Sequence, residues 1–392
     1  MRFVIKVGTS LVTNEDYTLN AGFLRTMASQ IARMQGMGHE VVIVSSGAVA
    51  AGRSCIKIEH EKKSIPFRQA LAAIGQGILM KTYDRFFHKY GINVAQGLLT
   101  NYDFANRANF FNTKNVFELL LKKKVIPIVN ENDVTTIAEI KFGDNDILSA
   151  KTASMISADF LVLLTDVDGL FSADPKENPD AVLLNFVDKI DEKITSVAGG
   201  ARSGNSRGGM ITKVRAAQYS TEEGTHMFIV NGHAKKIIAK VAEFCEKFAA
   251  YNEEILVAKN AGSTKKIALP KFKYGTFFIS NANLVPSHKK WLRPKVMSDA
   301  WIEIDCGALK ALANSGKSLL PSGITAVHGE FERGDVVFIK CGQESVGYGQ
   351  VNYGAEEIDK IKKQGTDKIE DILGFCFEEE AIHRDRMVVC IE

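Results

Sequence analysis

Two carboxylates and an amide lie within three residues of the chain, at Asp144-Asn145-Asp146, directly after Gly143. Residues 147–157 are mostly small and apolar and predict a helix. Asn and Asp are preferred at helix N-caps, so the cluster could simply begin that helix. It could equally orient cationic groups or a polar substrate at the end of a sheet. The cluster alone leaves both interpretations open, so the surrounding elements have to decide.

Two lysines stand where an anionic ligand would bind. Lys6 interrupts the apolar run 3–7, which predicts a buried strand opening into a turn at 8–10. It could reach solvent along the strand or bind phosphate where strands end and helices begin. Lys213 lies in the first turn of a predicted helix, behind the glycine-rich stretch 198–209. A helix dipole disfavours a cation there, so Lys213 is either solvated or compensated by an anion.

The elements that must position these groups alternate between strands and helices through the first 230 residues. This order favours a mainly parallel sheet with helices on both faces. Polar or small residues follow the predicted strands, so they would meet along one edge of that sheet; they lie at 8–10, 45–47, 130–133 and 165–168. The loops 143–146 and 207–213 could face the same edge. The small residues of 45–52 could leave backbone N–H groups for an anion, or only allow close packing.

Composition limits the class of protein. The 392 residues carry a net charge of only +3, which gives no support for a broad nucleic-acid footprint. None of the six cysteines forms a CxxC pair or takes zinc-ligand spacing with histidine. Scattered thiols fit a reducing compartment, and the lysine in the first apolar run argues against a signal peptide. We therefore expect a cytoplasmic protein.

The chain is long for a single core, so two domains are expected. After about residue 298 short glycine-broken strands predict a small β-rich domain; they lie at 300–304, 326–328, 335–339 and 387–391. A helix near 236–250 and a lysine-rich stretch with Pro270 precede it. We expect a catalytic domain at 1–260, a linker at 261–297 and the β-rich domain at 298–380.

Six motifs in chain order resemble those of the glutamate 5-kinase family, within the amino acid kinase superfamily. They are Lys6-Val-Gly-Thr-Ser10, Val44-Ser-Ser-Gly-Ala-Val-Ala-Ala-Gly52, Ile128-Val-Asn-Glu-Asn-Asp133, Phe142-Gly-Asp-Asn-Asp146, Leu164-Thr-Asp166 and Gly208-Gly-Met-Ile-Thr-Lys213. The β-rich domain resembles a PUA domain through Ser318-Leu-Leu-Pro-Ser-Gly-Ile324 and Phe331-Glu-Arg-Gly-Asp335. The resemblance implies an α/β fold, a three-layer αβα sandwich with a mainly parallel central sheet, followed by the PUA domain.

The resemblance also implies a reaction, in which ATP phosphorylates the side-chain carboxylate of L-glutamate to L-glutamyl 5-phosphate. Magnesium would accompany ATP without a protein metal ligand, and proline would inhibit by feedback. Lys6 and Lys213 would neutralise charge in the transition state, and Asp146 would orient them. The expected glutamate-binding residues are Ser46, Asp133, Asn145 and Asp144. The expected ATP-binding residues are Lys6, Thr165, Asp166, Arg207, Gly208, Gly209, Met210, Ile211, Thr212 and Lys213.

Some features depart from the family pattern or leave alternatives. Arg207 replaces an expected small polar residue and could contact phosphate or point to solvent. Other amino acid kinases act on N-acetylglutamate, aspartate or UMP, and the clusters at 130–133 and 143–146 favour glutamate among these. No GxxxxGK[ST] motif is present, so this is not a P-loop enzyme. The resemblance further implies a dimer or tetramer, hand-off of product to glutamyl phosphate reductase, and RNA binding by the PUA domain only as a minor role.

Overall fold

The structure is a computed structural model of the chain. It describes residues 1–56, 64–136, 145–175, 177–198, 209–260, 270–280, 296–315, 317–342 and 344–389. The chain divides into two compact units, Met1–Asn106 with Asn112–Ala282 and Arg107–Phe111 with Asn283–Glu392.

The first unit is built on one sheet. Its strands are β1 (Arg2–Val7), β2 (Glu40–Ser45), β3 (Val94–Leu99), β4 (Ile126–Glu131), β5 (Phe160–Thr165), β6 (Phe186–Val187), β7 (His226–Asn231) and β8 (Gly275–Phe278). They follow the order β3-β4-β2-β1-β5-β7-β8-β6. Neighbouring strands in the series β3-β4-β2-β1-β5-β7 pair in parallel, and β8 pairs antiparallel with β7. The predicted mainly parallel sheet is confirmed, with β8 as an antiparallel addition.

Helices connect the strands. They are α1 (Thr9–Val12), α2 (Ala21–Gly36), α3 (Ala48–Arg53), α4 (Ile65–Phe87), α5 (Asn101–Ala105), α6 (Arg107–Lys122), α7 (Asn145–Met155), α8 (Glu192–Ala198), α9 (Met210–Glu222) and α10 (Ile237–Asn260). Helices α2, α4 and α10 contribute to one hydrophobic cluster with one face of the sheet. Helices α7 and α9 pack against each other, α7 also contacting β1 and β5, and α9 contacting β7. The central strands are therefore buried on both faces, which explains their continuous apolar runs.

Alternation along β1 decides where its lysine lies. Phe3, Ile5 and Val7 belong to the cluster with α2, α4 and α10. Successive side chains of a strand point to opposite faces. Val4 and Lys6 are therefore directed to the other face, where α7 contacts β1. The sequence of β1 thus brings a cation to the side of the sheet that holds α7.

A short strand lies inside the predicted linker 261–297. Residues Gly275–Phe278 form β8, whose Phe277 pairs with Phe228 of β7. Phe277 is fully buried and packs in the core of the first unit. Four residues give too short a pattern for a sequence-based prediction, and burial of the aromatic rings adds this strand to the sheet. The linker interpretation fails at β8, while the outer boundaries of the domains stay a prediction.

The second unit holds a five-stranded sheet in the order β10-β9-β11-β12-β13. Its strands are β9 (Val296–Ile304), β10 (Ile324–His328), β11 (Val336–Cys341), β12 (Glu344–Gln350) and β13 (Met387–Val389). Its helices are α11 (Cys306–Ser315), α12 (Ala355–Ile361) and α13 (Ile369–Leu373). Pairing is antiparallel except between β9 and β11. The expected β-rich domain is confirmed, whereas β12 and α12 had no prediction.

Candidate active site

A buried carboxylate lies between two buried ammonium groups at the edge of the first sheet. Lys6 Nζ is 2.5 Å from Asp146 Oδ1, and Lys213 Nζ is 3.0 Å from Asp146 Oδ2. Asp146 is 0% exposed, and each lysine is 6% exposed. Charges this deeply buried persist only when they are paired. The arrangement therefore carries one net positive charge, held in a fixed place.

Electrostatics keep Asp146 ionised. Burial by itself would raise the pKa of the Asp146 carboxyl, because it penalises the charged form. The charges and hydrogen bonds of Lys6 and Lys213 outweigh burial and lower that pKa below its usual value. The Thr212 hydroxyl lies 3.0 Å from Asp146 Oδ2 and 2.7 Å from the Gly209 carbonyl oxygen, and its single proton is shared between these two acceptors. Asp146 is thus an anion held by two ammonium groups.

Three elements supply this cluster. Lys6 comes from β1, and Asp146 lies in the first turn of α7, which begins at Asn145 rather than at the predicted residue 147. Lys213 lies in α9, which begins at Met210 behind Gly209. Gly209 provides no side-chain cap for this helix. The Thr212 N–H donates to the Gly209 carbonyl oxygen at 3.2 Å, and the N-terminal end of a helix is a place where an anion can bind.

A cavity of about 520 Å³ opens beside the cluster. It is lined by Lys6, Gly8, Thr9, Ser10, Tyr17, Ser46, Gly47, Ala48, Val49, Ala50, Arg53, Arg68, Asn130, Glu131, Asp133, Asn145, Thr165, Asp166 and Lys213. Each of the stretches 8–10, 45–47, 130–133 and 165–168 contributes residues to this lining. The prediction that they meet at one edge of the sheet is therefore confirmed.

Hydrogen bonds join the predicted glutamate-binding residues. Asn145 Nδ2 donates to Ser46 Oγ at 2.7 Å and to Asn130 Oδ1 at 3.2 Å. It also lies 3.2 Å from the Ser45 carbonyl oxygen. Asp133 lines the same cavity, and Asp144 lies outside the described residues. Three of the four predicted residues are therefore brought together, around Asn145.

Apart from Lys6 of β1, the predicted ATP-binding residues divide into three groups. Thr165 and Asp166 end β5, line the cavity and share a hydrogen bond of 3.1 Å from Thr165 Oγ1 to Asp166 Oδ1. Residues 209–213 form the start of α9. Arg207 and Gly208 lie outside the described residues.

Sequence reasoning missed the contribution of α4. Gln76 accepts a hydrogen bond from Asn130, with Oε1 at 3.0 Å from Nδ2. The Tyr83 hydroxyl lies 2.8 Å from Ser45 Oγ. Both residues are buried, so the helical pattern of the sequence predicts only that they lie in the core. No motif or spacing in the sequence distinguishes them from the apolar residues of the same face.

The donor set also bears on magnesium. In the part of the chain that the structure describes, no three side chains of His, Cys, Asp or Glu are grouped so that they could hold a metal ion. Magnesium commonly keeps several waters and binds through substrate phosphates rather than a protein cage.

Comparisons with known proteins identify the family of this chain. The family model described as "Amino acid kinase family" matches residues 1–231, and the model described as "PUA domain" matches residues 300–373. A protein named "Glutamate 5-kinase" from Caldanaerobacter subterraneus subsp. tengcongensis is 40% identical over 99% of this chain and 98% of its own length. One of the same name from Dehalococcoides mccartyi is also 40% identical, over 99% and 98%.

A solved structure titled "X-ray structures of isopentenyl phosphate kinase" covers 71% of this chain and 100% of its own, at 18% identity and a TM-score of 0.44. That likeness is too weak to carry an argument. The family model and the full-length relatives are sufficient: the chain belongs to the amino acid kinase family and, within it, to the glutamate 5-kinases. Among the described helices, none has the length and apolar character needed to cross a membrane.

Proposed function

We propose that this chain uses ATP to phosphorylate the side-chain carboxylate of L-glutamate, giving L-glutamyl 5-phosphate in the first step of proline biosynthesis. The observation that carries this proposal is the buried Asp146 carboxylate between Lys6 and Lys213, beside a polar cavity. Membership of the glutamate 5-kinases supports the choice of substrate.

The transfer needs charge neutralisation more than proton transfer. A carboxylate is ionised at neutral pH, so the nucleophile needs no general base. A substrate carboxylate oxygen bonds to the γ-phosphorus, the bond from that phosphorus to the β–γ bridging oxygen breaks, and the electron pair leaves on ADP. Negative charge spreads over the transferred group during this step. Lys6 and Lys213 stabilise it, and Asp146 holds both ammonium groups in place beforehand.

Substrate binding follows from the other polar residues of the cavity. Ser46 and Asn145 offer hydrogen-bonding groups to glutamate, and the carboxylate of Asp133 suits its ammonium group. Asp144 is proposed to join them. Positioning the two substrates in this way supplies much of the rate acceleration.

ATP is proposed to bind across the ends of β5 and α9. Thr165, Asp166 and residues 207–213 would contact it, with phosphates at the uncapped start of α9. Magnesium would be held by the phosphates of ATP and would offset their negative charge. Arg207 and Gly208 belong to this proposal through the family motif.

A hydroxylamine-trapping assay tests the reaction, because hydroxylamine converts an acyl phosphate to a hydroxamate. With ATP, Mg²⁺ and L-glutamate, the wild-type protein is expected to form glutamyl hydroxamate. Lys213→Ala should lower kcat by about 10²- to 10³-fold, as for loss of one transition-state donor. Lys247→Ala removes an exposed lysine of α10 and serves as the matched control. N-Acetylglutamate, aspartate and UMP as substrates test the related kinase activities, and turnover of one of these instead of glutamate would refute the assignment.

The partners form a separate part of the proposal. We propose a cytoplasmic homo-oligomer, a dimer or tetramer, that is inhibited by proline. The acyl phosphate product is labile, which favours direct hand-off to glutamyl phosphate reductase. Light scattering tests the assembly. A pull-down together with coupled kinetics tests the hand-off, and absence of both association and coupling contradicts it. RNA binding by the PUA domain is proposed only as a minor activity.

A further inference from the structure

We infer that Gln76 of α4, although absent from the cavity lining, is a positioning residue that sets how tightly the amino acid substrate binds. The inference rests on the proposed function, since it concerns the glutamate-binding residues of that same cavity. Gln76 acts through Asn130 and Asn145, and it touches neither the nucleotide-binding residues nor the two lysines in the described contacts.

A chain of side-chain amides connects Gln76 to the cavity. Gln76 Oε1 accepts from Asn130 Nδ2 at 3.0 Å. Asn130 Oδ1 accepts from Asn145 Nδ2 at 3.2 Å and from the Glu131 backbone N–H at 2.9 Å. Asn145 Nδ2 also donates to Ser46 Oγ at 2.7 Å. Asn130, Asn145 and Ser46 line the cavity, so Gln76 lies one residue behind it.

Gln76 is the side chain that orients Asn130 from the side of α4. An asparagine amide donates at its nitrogen and accepts at its oxygen. Because Gln76 presents an oxygen, Asn130 turns its nitrogen toward α4 and keeps Oδ1 for Asn145. If the side-chain amide of Asn130 were flipped, its Nδ2 would face the Nδ2 of Asn145, and two donors would oppose each other. Gln76 and the Glu131 backbone N–H therefore hold the rotamer of Asn130 together. Asn130 Oδ1 and the Ser45 carbonyl oxygen in turn hold the donor direction of Asn145.

That direction determines what the cavity offers a substrate. Ser46 Oγ accepts from Asn145, so its own hydrogen is left to donate, which suits a carboxylate oxygen. The nitrogen of Asn145 is committed to acceptors, so its Oδ1 is left to accept, which suits an ammonium group. An α-amino acid carries both groups. The chain of side-chain amides from Gln76 to Asn145 thus leaves a donor and an acceptor in the cavity that suit an α-amino acid.

The buried amide of Gln76 has little other use. Gln76 is 8% exposed, and within the described residues its Nε2 has no hydrogen-bond partner. Buried polar groups are normally satisfied, so a glutamine kept only for stability would be expected to use both ends. The hydrogen bond that the structure gives its side chain runs to Asn130. The contacts therefore favour a role in holding Asn130.

Two glycines allow α4 to lie close to α3, and this close packing places Gln76 within hydrogen-bond distance of Asn130. A Cβ at Gly75 would lie 1.8 Å from the Ala48 carbonyl oxygen, and one at Gly52 would lie 1.9 Å from the Leu71 carbonyl oxygen. The backbones of α3 and α4 are therefore in direct contact. Gln76 follows Gly75, so this contact sets the position of its side-chain amide relative to the carboxyl end of β4.

The experiment compares two replacements of Gln76 that separate stability from binding. Gln76→Met keeps the length of the side chain but loses the acceptor oxygen. Gln76→Glu keeps an oxygen facing Asn130 but adds a buried acid, so it should destabilise the protein more. Leu79→Val shortens a fully buried residue of the same helix and controls for a small loss of stability. KM for L-glutamate, KM for ATP, kcat and the melting temperature are measured for each full-length protein.

We expect Gln76→Met to raise KM for glutamate about tenfold, the effect of one lost buried hydrogen bond, with KM for ATP and kcat within about twofold. Gln76→Glu should keep KM for glutamate within about threefold despite its lower melting temperature. Leu79→Val should leave all three kinetic constants unchanged. Equal KM values for wild type and Gln76→Met overturn the inference, as do KM values that follow the melting temperature across the variants. A folded wild type that forms no hydroxamate overturns the proposed function first, and the inference with it.

Discussion

Replacing Asp146 by asparagine removes the anion from between two buried lysines while keeping the shape of the side chain. Lys6 and Lys213 are each 6% exposed and lie 2.5 and 3.0 Å from opposite oxygens of the carboxylate. An asparagine oxygen can accept from one lysine, but its nitrogen would face the other as donor against donor. Two ammonium groups would then share a buried site without the carboxylate that lies between them.

The size of the effect follows from this geometry. Breaking a buried ion pair by removing one partner costs about 3–5 kcal/mol, and here one carboxylate serves two cations. We therefore expect Asp146→Asn to lower the free energy of unfolding of the substrate-free protein by about that amount. Loss of lysine orientation should lower kcat by about 10²- to 10³-fold, comparable to removing one preorganised donor at an oxyanion site.

The pH dependence of stability gives a second test of the Asp146 carboxylate. The folded-state pKa of Asp146 is lowered below its unfolded value, which is about 3.9. Its stabilising contribution is therefore present above pH of about 3.9 and is lost as pH falls through the folded-state pKa. The difference in unfolding free energy between wild type and Asp146→Asn should be constant from about pH 5 to 8 and should shrink below about pH 3.9.

Urea unfolding across this pH range, with hydroxamate formation at neutral pH, measures both quantities. Thr212→Val is the matched control, because it removes the hydroxyl that contacts Asp146 Oδ2 and the Gly209 carbonyl oxygen and leaves the three charges in place. It should keep kcat within about tenfold. A folded Asp146→Asn protein with kcat within tenfold of wild type would refute the role given to the carboxylate. A stability difference that stays constant down to pH 2 would refute its lowered pKa.

Three further outcomes are expected. Gly75→Ala should unfold at a clearly lower temperature than Gly77→Ala on the same helix, because its Cβ would lie 1.8 Å from the Ala48 carbonyl oxygen whereas nothing lies within 4 Å of one at Gly77; equal melting temperatures contradict the close contact of α3 and α4. Tyr83→Phe should lose about 1 kcal/mol of unfolding free energy, because its buried hydroxyl bonds Ser45 Oγ at 2.8 Å, and urea unfolding without any loss argues against that bond. Proline should suppress glutamyl hydroxamate formation, and turnover that does not respond to proline removes the feedback proposal while leaving the reaction intact.

The sequence by itself determined much of the first unit. The apolar runs of β1, β2 and β5 predict strands buried on both faces, because the residues that point to either face are mostly apolar. Polar residues follow these strands, and parallel strands place such residues at one edge. Lys6 at a strand end and Lys213 behind a glycine-rich stretch are site candidates from the sequence pattern, whereas the role of Asp146 comes from the family resemblance.

Only the tertiary structure decided how those residues meet. Lys213 and Asp146 are 67 residues apart in the chain, and no local pattern specifies a contact at that separation. The packing of α7 and α9 places one carboxylate against both lysines. Gln76 entered the site in the same way, since helical periodicity shows only that its position is buried. Residues of this kind are determined by which helix covers which strand end, and long-range packing settles that choice.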